Sequence, residues 1–349
     1  MTAIDTAAAP LTGEGARTIR IGTRASLLAR TQTDLIASAL TEAGATVEIV
    51  TIATDGDRSQ AAGTPIAQTG VGVFVTALRD AVLAGDIDVA VHSFKDLPTA
   101  SVAGLTLAAV PAREDPRDAL VARDGMVLGE LPPGAVVGTG SPRRIAQIAA
   151  LGLGLELVPI RGNVDTRIAK VTRGELDAVV LARAGLARLG RVGEATEVLD
   201  PLQVLPAPAQ GALACECRAD DAQLAGFLRA TLHDESVAVA VTAERSVLGG
   251  LGSPCGAPVG ALAEVVEDLD DDGRVVERLS LRAVAATAEG ALVRGSATGE
   301  TEDAERIGRE LAEELLADGA EPKGLAGDEA QRSSTHVAPG TGDQPPPAS

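Results

Sequence analysis

Short apolar runs alternate along the chain with longer stretches whose apolar residues recur every three or four positions. "TIRIGTR" reads as a strand, and "SLLARTQTDLIASALTEAG" as a helix closed by Gly44. "TVEIVTI" then predicts a strand, "VFVTALRDAVLAG" a helix and "IDVAVHS" a strand. Aliphatic runs without polar alternation predict strands buried on both faces, and the helical period between them predicts the helices that cover them. The expected product is a set of βαβ units on a mainly parallel sheet, residues 18–112. The pattern restarts after "EDPRDALV". Here "AVVGTG", "LELVPI" and "LDAVVLA" are strands, separated by the helices "SPRRIAQIAALG" and "DTRIAKVTRG", which predicts a second α/β unit over 117–205. From about 234 the texture changes. A helical "SVAVAVTAERSVLGGL" precedes strands around a turn at 270–273 and an amphipathic "AERIGRELAEELLADG", a third unit of α+β type over 234–322. The small, polar 1–17 and the Gly-, Pro- and Ser-rich 323–349 are expected to be disordered.

Composition narrows the function. Aromatic residues make up only 1% of the 349, so the cores must be aliphatic and base stacking lacks its platforms. A formal net charge of −19 disfavours a nucleic-acid partner. Three cysteines are too few for a disulfide framework, and three histidines give poor support to a triad hydrolase or a metal site. Neither a signal peptide nor an apolar run long enough to span a bilayer is visible, so a cytoplasmic protein with no membrane partner is expected.

Against that acidic background, arginines recur at strand ends. In "VVGTGSPRR", Ser141 is placed to cap a helix and Pro142 to start it. The helix start behind a Gly-rich turn favours an anion, and Arg143 and Arg144 add forked donors. Two solvated arginines there are the plainer reading, but positive charge at a helix N-terminus is mildly unfavourable. Arg24 ends the first strand, Arg161 and Arg167 follow "LVPI", and Arg183 and Arg188 follow "LDAVVLA". Ligands of open parallel sheets bind beyond the carboxyl ends of the strands, so these side chains are expected to converge on a polyanion. At the end of "IDVAVHS" come Ser93, Lys95 and Asp96, with Asp96 the acid–base candidate, although an ordinary turn before Pro98 would look the same. Cys215 and Cys217 in "GALACEC" read as core thiols. Cys255 lies in the Gly/Pro loop "GGLGSPCGAPVG", where a reactive thiol would be presented.

Taken in order, "IRIGTRASLLA", "DIDVAVHSFKDLPT", "REDPRDALV", "GTGSPRRIAQI", "IRGNVDTR", "LDAVVLARAGLARLG", "LPAPAQGALACECR" and "TAERSVLGGLGSPCGAPVG" resemble the hydroxymethylbilane synthase, or porphobilinogen deaminase, family. The resemblance implies two α/β domains like the lobes of periplasmic binding proteins, the first taking back 206–230, and a smaller C-terminal α+β domain. It also implies a cytoplasmic, monomeric transferase of porphyrin synthesis with a dipyrromethane cofactor in thioether linkage to Cys255. The enzyme would add four porphobilinogen molecules to that primer, release four ammonia and cut off the linear tetrapyrrole with water. Each pyrrole ring carries an acetate and a propionate, a polyanion that suits repeated arginines. Carried over by residue, Asp96 is the catalytic carboxylate with Lys95 beside it. Arg24, Ser26, Ser93, Thr139, Ser141, Arg143, Arg144, Arg161, Arg167, Arg188, Gln210 and Gly211 contact cofactor, substrate or the growing oligopyrrole. Pro254 stands before Cys255 where the family usually has glycine, and Val71 in the shortened loop "QTGVGVF" stands where many relatives have lysine. A two-lobed polycarboxylate-binding protein without chemistry is the main competing expectation. A phosphate-ligand transferase is the weaker one, since no Mg²⁺ motif accompanies the arginines.

Overall fold

The computed structural model describes residues 11–13, 15–52, 73–254, 256–270 and 272–322; Cys255, Val71 and the stretch 323–349 lie outside them. The first lobe opens with β1 (Ile19–Thr23), α1 (Leu27–Glu42), β2 (Val47–Thr51), α2 (Val73–Ala84), β3 (Val89–Ser93) and β4 (Leu105–Ala109). Helix α1 starts where Ser26 Oγ accepts from Ala29 N at 3.3 Å, and Gly44 turns the chain at φ +91°. Residues 110–117 cross to the second lobe. It contains β5 (Asp118–Ala122), β6 (Val136–Thr139), α3 (Pro142–Ala150), β7 (Glu156–Pro159), α4 (Val164–Thr172), β8 (Ala178–Ala182), α5 (Arg183–Arg188) and the short β9 (Glu197–Val198). Residues 199–212 return to the first lobe, which closes with β10 (Leu213–Arg218) and α6 (Ala222–Leu232). The third unit is α7 (Glu235–Gly250), the strands β11 (Val259–Leu269), β12 (Val275–Ala286) and β13 (Leu292–Gly299), and α8 (Ala304–Ala317).

Each lobe has a five-stranded sheet, ordered β2-β1-β3-β10-β4 in one and β7-β6-β8-β5-β9 in the other. The expectation of a mainly parallel sheet holds for three strands in each, and the strand that has just crossed over is the exception. β10 runs antiparallel between β3 and β4, and β5 runs antiparallel between β8 and β9. Reversal puts the first residue of a crossing strand at the carboxyl edge of its parallel neighbour: Asp118 pairs with Ala182 at the end of β8, and Leu213 with Ser93 at the end of β3. The two crossings thus deliver their residues to the edge where ligands of such sheets bind.

The cores are aliphatic, as the composition demands. Ile19, Ile21, Leu40, Leu224 and Leu228 fill the first lobe around Cys215 and Cys217, both fully buried. Burial pushes those thiols up to about 12 and about 11, so neither is a nucleophile at neutral pH. The ordered first lobe begins ahead of 18: Leu11 packs into the same core, and Arg17 pairs with Asp221.

Helix α7 binds the third unit to the rest through Val241, which packs into a core with Phe94, Leu97 and Ala212, and through two adjacent charged residues. Glu244 is wholly buried. Its carboxylate takes both ends of the Arg113 guanidinium, at 2.7 and 3.0 Å, and the backbone N–H of Ala209 at 2.6 Å and of Ala263 at 2.9 Å. One charge therefore ties both crossings to the β11 strand. Arg245 reaches the other way. It donates to the carbonyls of Phe94 (3.3 Å), Leu97 (2.8 Å) and Pro98 (2.7 Å), with its guanidinium 4.5 Å from the centre of the Phe94 ring.

Replacing Glu244 with Ala strands a buried guanidinium and two buried N–H groups. The expected loss is about 3–5 kcal/mol, read as a lower urea midpoint with little change in slope.

Candidate active site

A 3₁₀ turn, Phe94–Asp96, ends β3, with Phe94 buried as its peg. With Phe94 pinned by Arg245, Lys95 is half-buried and Asp96 exposed. Lys95 Nζ donates to Gln210 Oε1 at 3.2 Å. Burial lowers the Lys95 ammonium to about 8; Arg143 and Arg144 push the same way, and Asp96 and Asp118 oppose it. Ser93 Oγ lies between Nε2 (2.9 Å) and Oε1 (3.1 Å) of Gln32, a buried α1 residue absent from the expected set.

Opposite, Thr139 ends β6 and is fully buried; its Oγ1 accepts from Ser141 N at 3.3 Å. Ser141 occupies the cap position of α3 without a side-chain capping bond, and Pro142 is the first helical residue. Gly140 is required here, since a Cβ would sit 2.7 Å from the Ile160 carbonyl oxygen. The paired arginines do not fan into solvent. Arg143 is 3% and Arg144 5% exposed, and both guanidinium groups end on Asp118, at 2.8 and 2.7 Å. Arg143 also donates to the Leu205 carbonyl and Arg144 to the Val180 carbonyl at 2.9 Å. Burial alone would raise Asp118, but the two guanidinium groups and Gln210 hold it well below the usual carboxylate range. The Nε–H groups of both arginines are buried without an acceptor among the described residues.

Farther along the same edge, Arg161 is exposed after β7, and Arg167 donates its Nε–H to the Gly162 carbonyl at 2.8 Å. Burial lowers Arg167, and Arg144 and Arg161 lower it further, with no carboxylate opposing them. Arg167 therefore sits in the positive field of two neighbouring guanidinium groups, a field that an anion would relieve. Arg188 donates to the Gly211 carbonyl at 2.6 Å. Gly211 sits at φ +89°, where a Cβ would lie 2.2 Å from the Glu114 oxygen, so only glycine lets the second crossing pass. Arg24 and Ser26 lie where β1 hands over to α1, and Leu28 of that helix approaches α5 of the other lobe. Arg183 is engaged by Glu114 at 2.9 Å and Asp115 at 3.4 Å.

Lys95, Asp96, Arg143, Arg144 and Gln210 are therefore neighbours, and Arg144 continues into the pair Arg161 and Arg167. Cys255 falls outside the described residues. A separate cavity of about 560 Å³ opens between the α6–α7 junction and the third unit. Its lining includes Asp234, Glu235 and Glu277, the wrong charge for a polycarboxylate.

The fold and this edge define a two-lobed α/β protein with clustered arginines near a carboxylate-bearing turn. The family model "Porphobilinogen deaminase, dipyromethane cofactor binding domain" matches residues 19–226, and "Porphobilinogen deaminase, C-terminal domain" matches 238–317. Relatives named porphobilinogen deaminase from Nocardia farcinica and Mycobacterium tuberculosis are 60% and 59% identical over 303 residues. These alignments cover 86% of this chain and 86% and 97% of theirs. The chain belongs to the porphobilinogen deaminase family. Among solved structures, the methionine-binding protein MetQ aligns over 61% of this chain and 89% of its own, with 14% identity and a TM-score of 0.39.

Arg143→Leu and Arg161→Leu separate the buried pair from the open corner. The first should cost about 3–5 kcal/mol in urea unfolding, because Asp118 loses half its compensation. The second should leave stability within about 0.5 kcal/mol yet raise the substrate KM roughly tenfold.

Proposed function

We propose that this chain carries out the hydroxymethylbilane synthase reaction with the groove between its lobes as the active site. Asp96 serves as the catalytic carboxylate, and Lys95, Arg24, Arg144, Arg161, Arg167 and Arg188 hold acetate and propionate groups. What supports this most is the Asp96 turn of one lobe lying near the buried Arg143–Asp118–Arg144 cluster of the other, beyond which Arg161 and Arg167 add positive charge. The reaction joins four porphobilinogen molecules and releases one ammonia with each carbon–carbon bond. As the carbon–nitrogen bond of the protonated aminomethyl group breaks and neutral ammonia leaves, the positive charge stays behind and spreads over the pyrrole. The Asp96 carboxylate is exposed on a turn that Arg245 holds in place, so it is available to stabilise that charge. The pyrrole N–H is its natural donor. The arginines fix each ring by its two carboxylates and so align the attacking carbon with the aminomethyl carbon of the next molecule.

The dipyrromethane cofactor of this family supplies a protein-held pyrrole end onto which the first ring is joined. The residues fit such a group: two buried Nε–H donors on Arg143 and Arg144 lack acceptors among the described residues, and Arg167 is lowered by Arg144 and Arg161. Ser26, Ser93, Thr139, Ser141, Gln210 and Gly211 line the turns through which it would be reached, and Cys255 is its attachment point. The finer reading is a cytoplasmic monomer handling a growing oligopyrrole, and sedimentation of the holoenzyme checks the monomer.

Intact mass of the purified protein is expected to exceed the sequence mass by one dipyrromethane, and the excess should vanish in Cys255→Ser. A bare mass before and after incubation with porphobilinogen would defeat the assignment. Asp96→Asn is expected to keep both the adduct and the fold but lower kcat about 100- to 1,000-fold.

A further inference from the structure

Gln210 heads the second crossing and touches charged groups of both lobes. Its Nε2 donates to the Pro116 carbonyl and to Asp118 Oδ1, each at 2.7 Å, which uses both amide hydrogens. Its Oε1 is thereby turned toward Lys95 Nζ, 3.2 Å away. A flipped amide would set NH₂ against an ammonium and oxygen against two acceptors, three repulsions at once. The chain from Lys95 to Asp118 therefore has one polarity, fixed by the carboxylate at its far end. We propose that Asp118, acting through Gln210, is the positioning residue for the Lys95 ammonium, so that a residue buried in the second lobe sets the cation beside Asp96 in the first.

The charges facing Lys95 are Asp96 on its own turn, Asp118 on β5, and Arg143 and Arg144 on α3, with Gln210 as the polar contact. Asp118 is thus one of two anions set against two cations. Neutralising it leaves Asp96 alone against both arginines and turns the Gln210 amide loose. Both changes disfavour protonated Lys95, whose ammonium is already lowered by burial. A group whose pKa falls sheds its proton at lower pH, so Lys95 would be neutral over more of the neutral range. The consequence of this inference for the reaction, though not the positioning itself, rests on the assignment of Lys95 to substrate binding.

The chain has only three lysines, Lys95, Lys170 and Lys323. In holoenzyme labelled with ¹³C,¹⁵N-lysine, three side-chain signals can be followed with pH, and the one missing in Lys95→Met is Lys95. Asp118→Asn should lower its midpoint by roughly half a pH unit or more, about threefold in acid constant, while the other two signals stay put. Because Asp118→Asn strands buried arginines and can fail to fold, Gln210→Leu is the second arm. It leaves Asp118 between both guanidinium groups and should lower the same midpoint. An unmoved Lys95 midpoint in Gln210→Leu, or in folded Asp118→Asn, overturns the proposal. The alkaline limb of kcat/KM separates this from the functional reading. If the limb moves with the Lys95 signal, both stand. If the signal moves and the limb does not, the positioning role stands and the assignment of Lys95 to substrate binding falls.

Discussion

A single carboxylate sealed from water, with a guanidinium group on each of its oxygens, is the interaction on which this structure turns. Asp118 is completely buried, and so, nearly, are Arg143 and Arg144. Each charge would be costly to bury alone, and together with Gln210 they satisfy one another. The arrangement also sets distances between parts of the chain that share no secondary structure. The arginines begin α3, Asp118 begins β5, and Leu205, which accepts from Arg143 and Gln147, lies in the return crossing. One charge cluster thus fixes the second lobe relative to both connections.

Chain reversal explains how such a cluster comes to lie at the working edge. A purely parallel sheet presents only strand ends there. Each lobe here accepts one strand from its neighbour in the opposite direction, so strand beginnings appear at the same edge, carrying Asp118 in one lobe and following Gln210 and Gly211 in the other. The edge is built from both kinds of end, which is why residues from distant parts of the sequence meet at it.

Much of this was legible in the sequence, and what was missed has a physical cause. The alternation of aliphatic runs and helical periods gave β1 through β3, β6 through β8 and the helices between them, because buried strands and amphipathic helices leave strong local signals. β5 went unread: an apolar run headed by Asp looks like the end of a loop, and only its reversed pairing makes it a central strand. Arginines at strand ends could be read from the sequence, and Arg143, Arg144, Arg161 and Arg167 follow the ends of β6 and β7. That Arg143 and Arg144 spend their forks on Asp118 could not be seen, since the acid lies 25 and 26 residues away and pairing is a tertiary fact. Glu244 and Arg245 were hidden for another reason. In a helical stretch they resemble any solvated pair, and no local pattern tells a charged residue facing solvent from one inserted between domains. Gln32 was passed over likewise, as one more polar residue on α1.

The back-to-back disposition of Glu244 and Arg245 bears on how the protein can be recombined. Adjacent on one helix, one grips the crossings and the other the turn that presents Lys95 and Asp96. A chimaera that borrows the C-terminal portion of a distant homologue would import both grips without the matching sockets at Arg113, Ala209 and the Phe94 ring. Shuffling breakpoints placed just before α7 would cut through this double clasp, so interchange of that portion should succeed only between parents that share all three sockets.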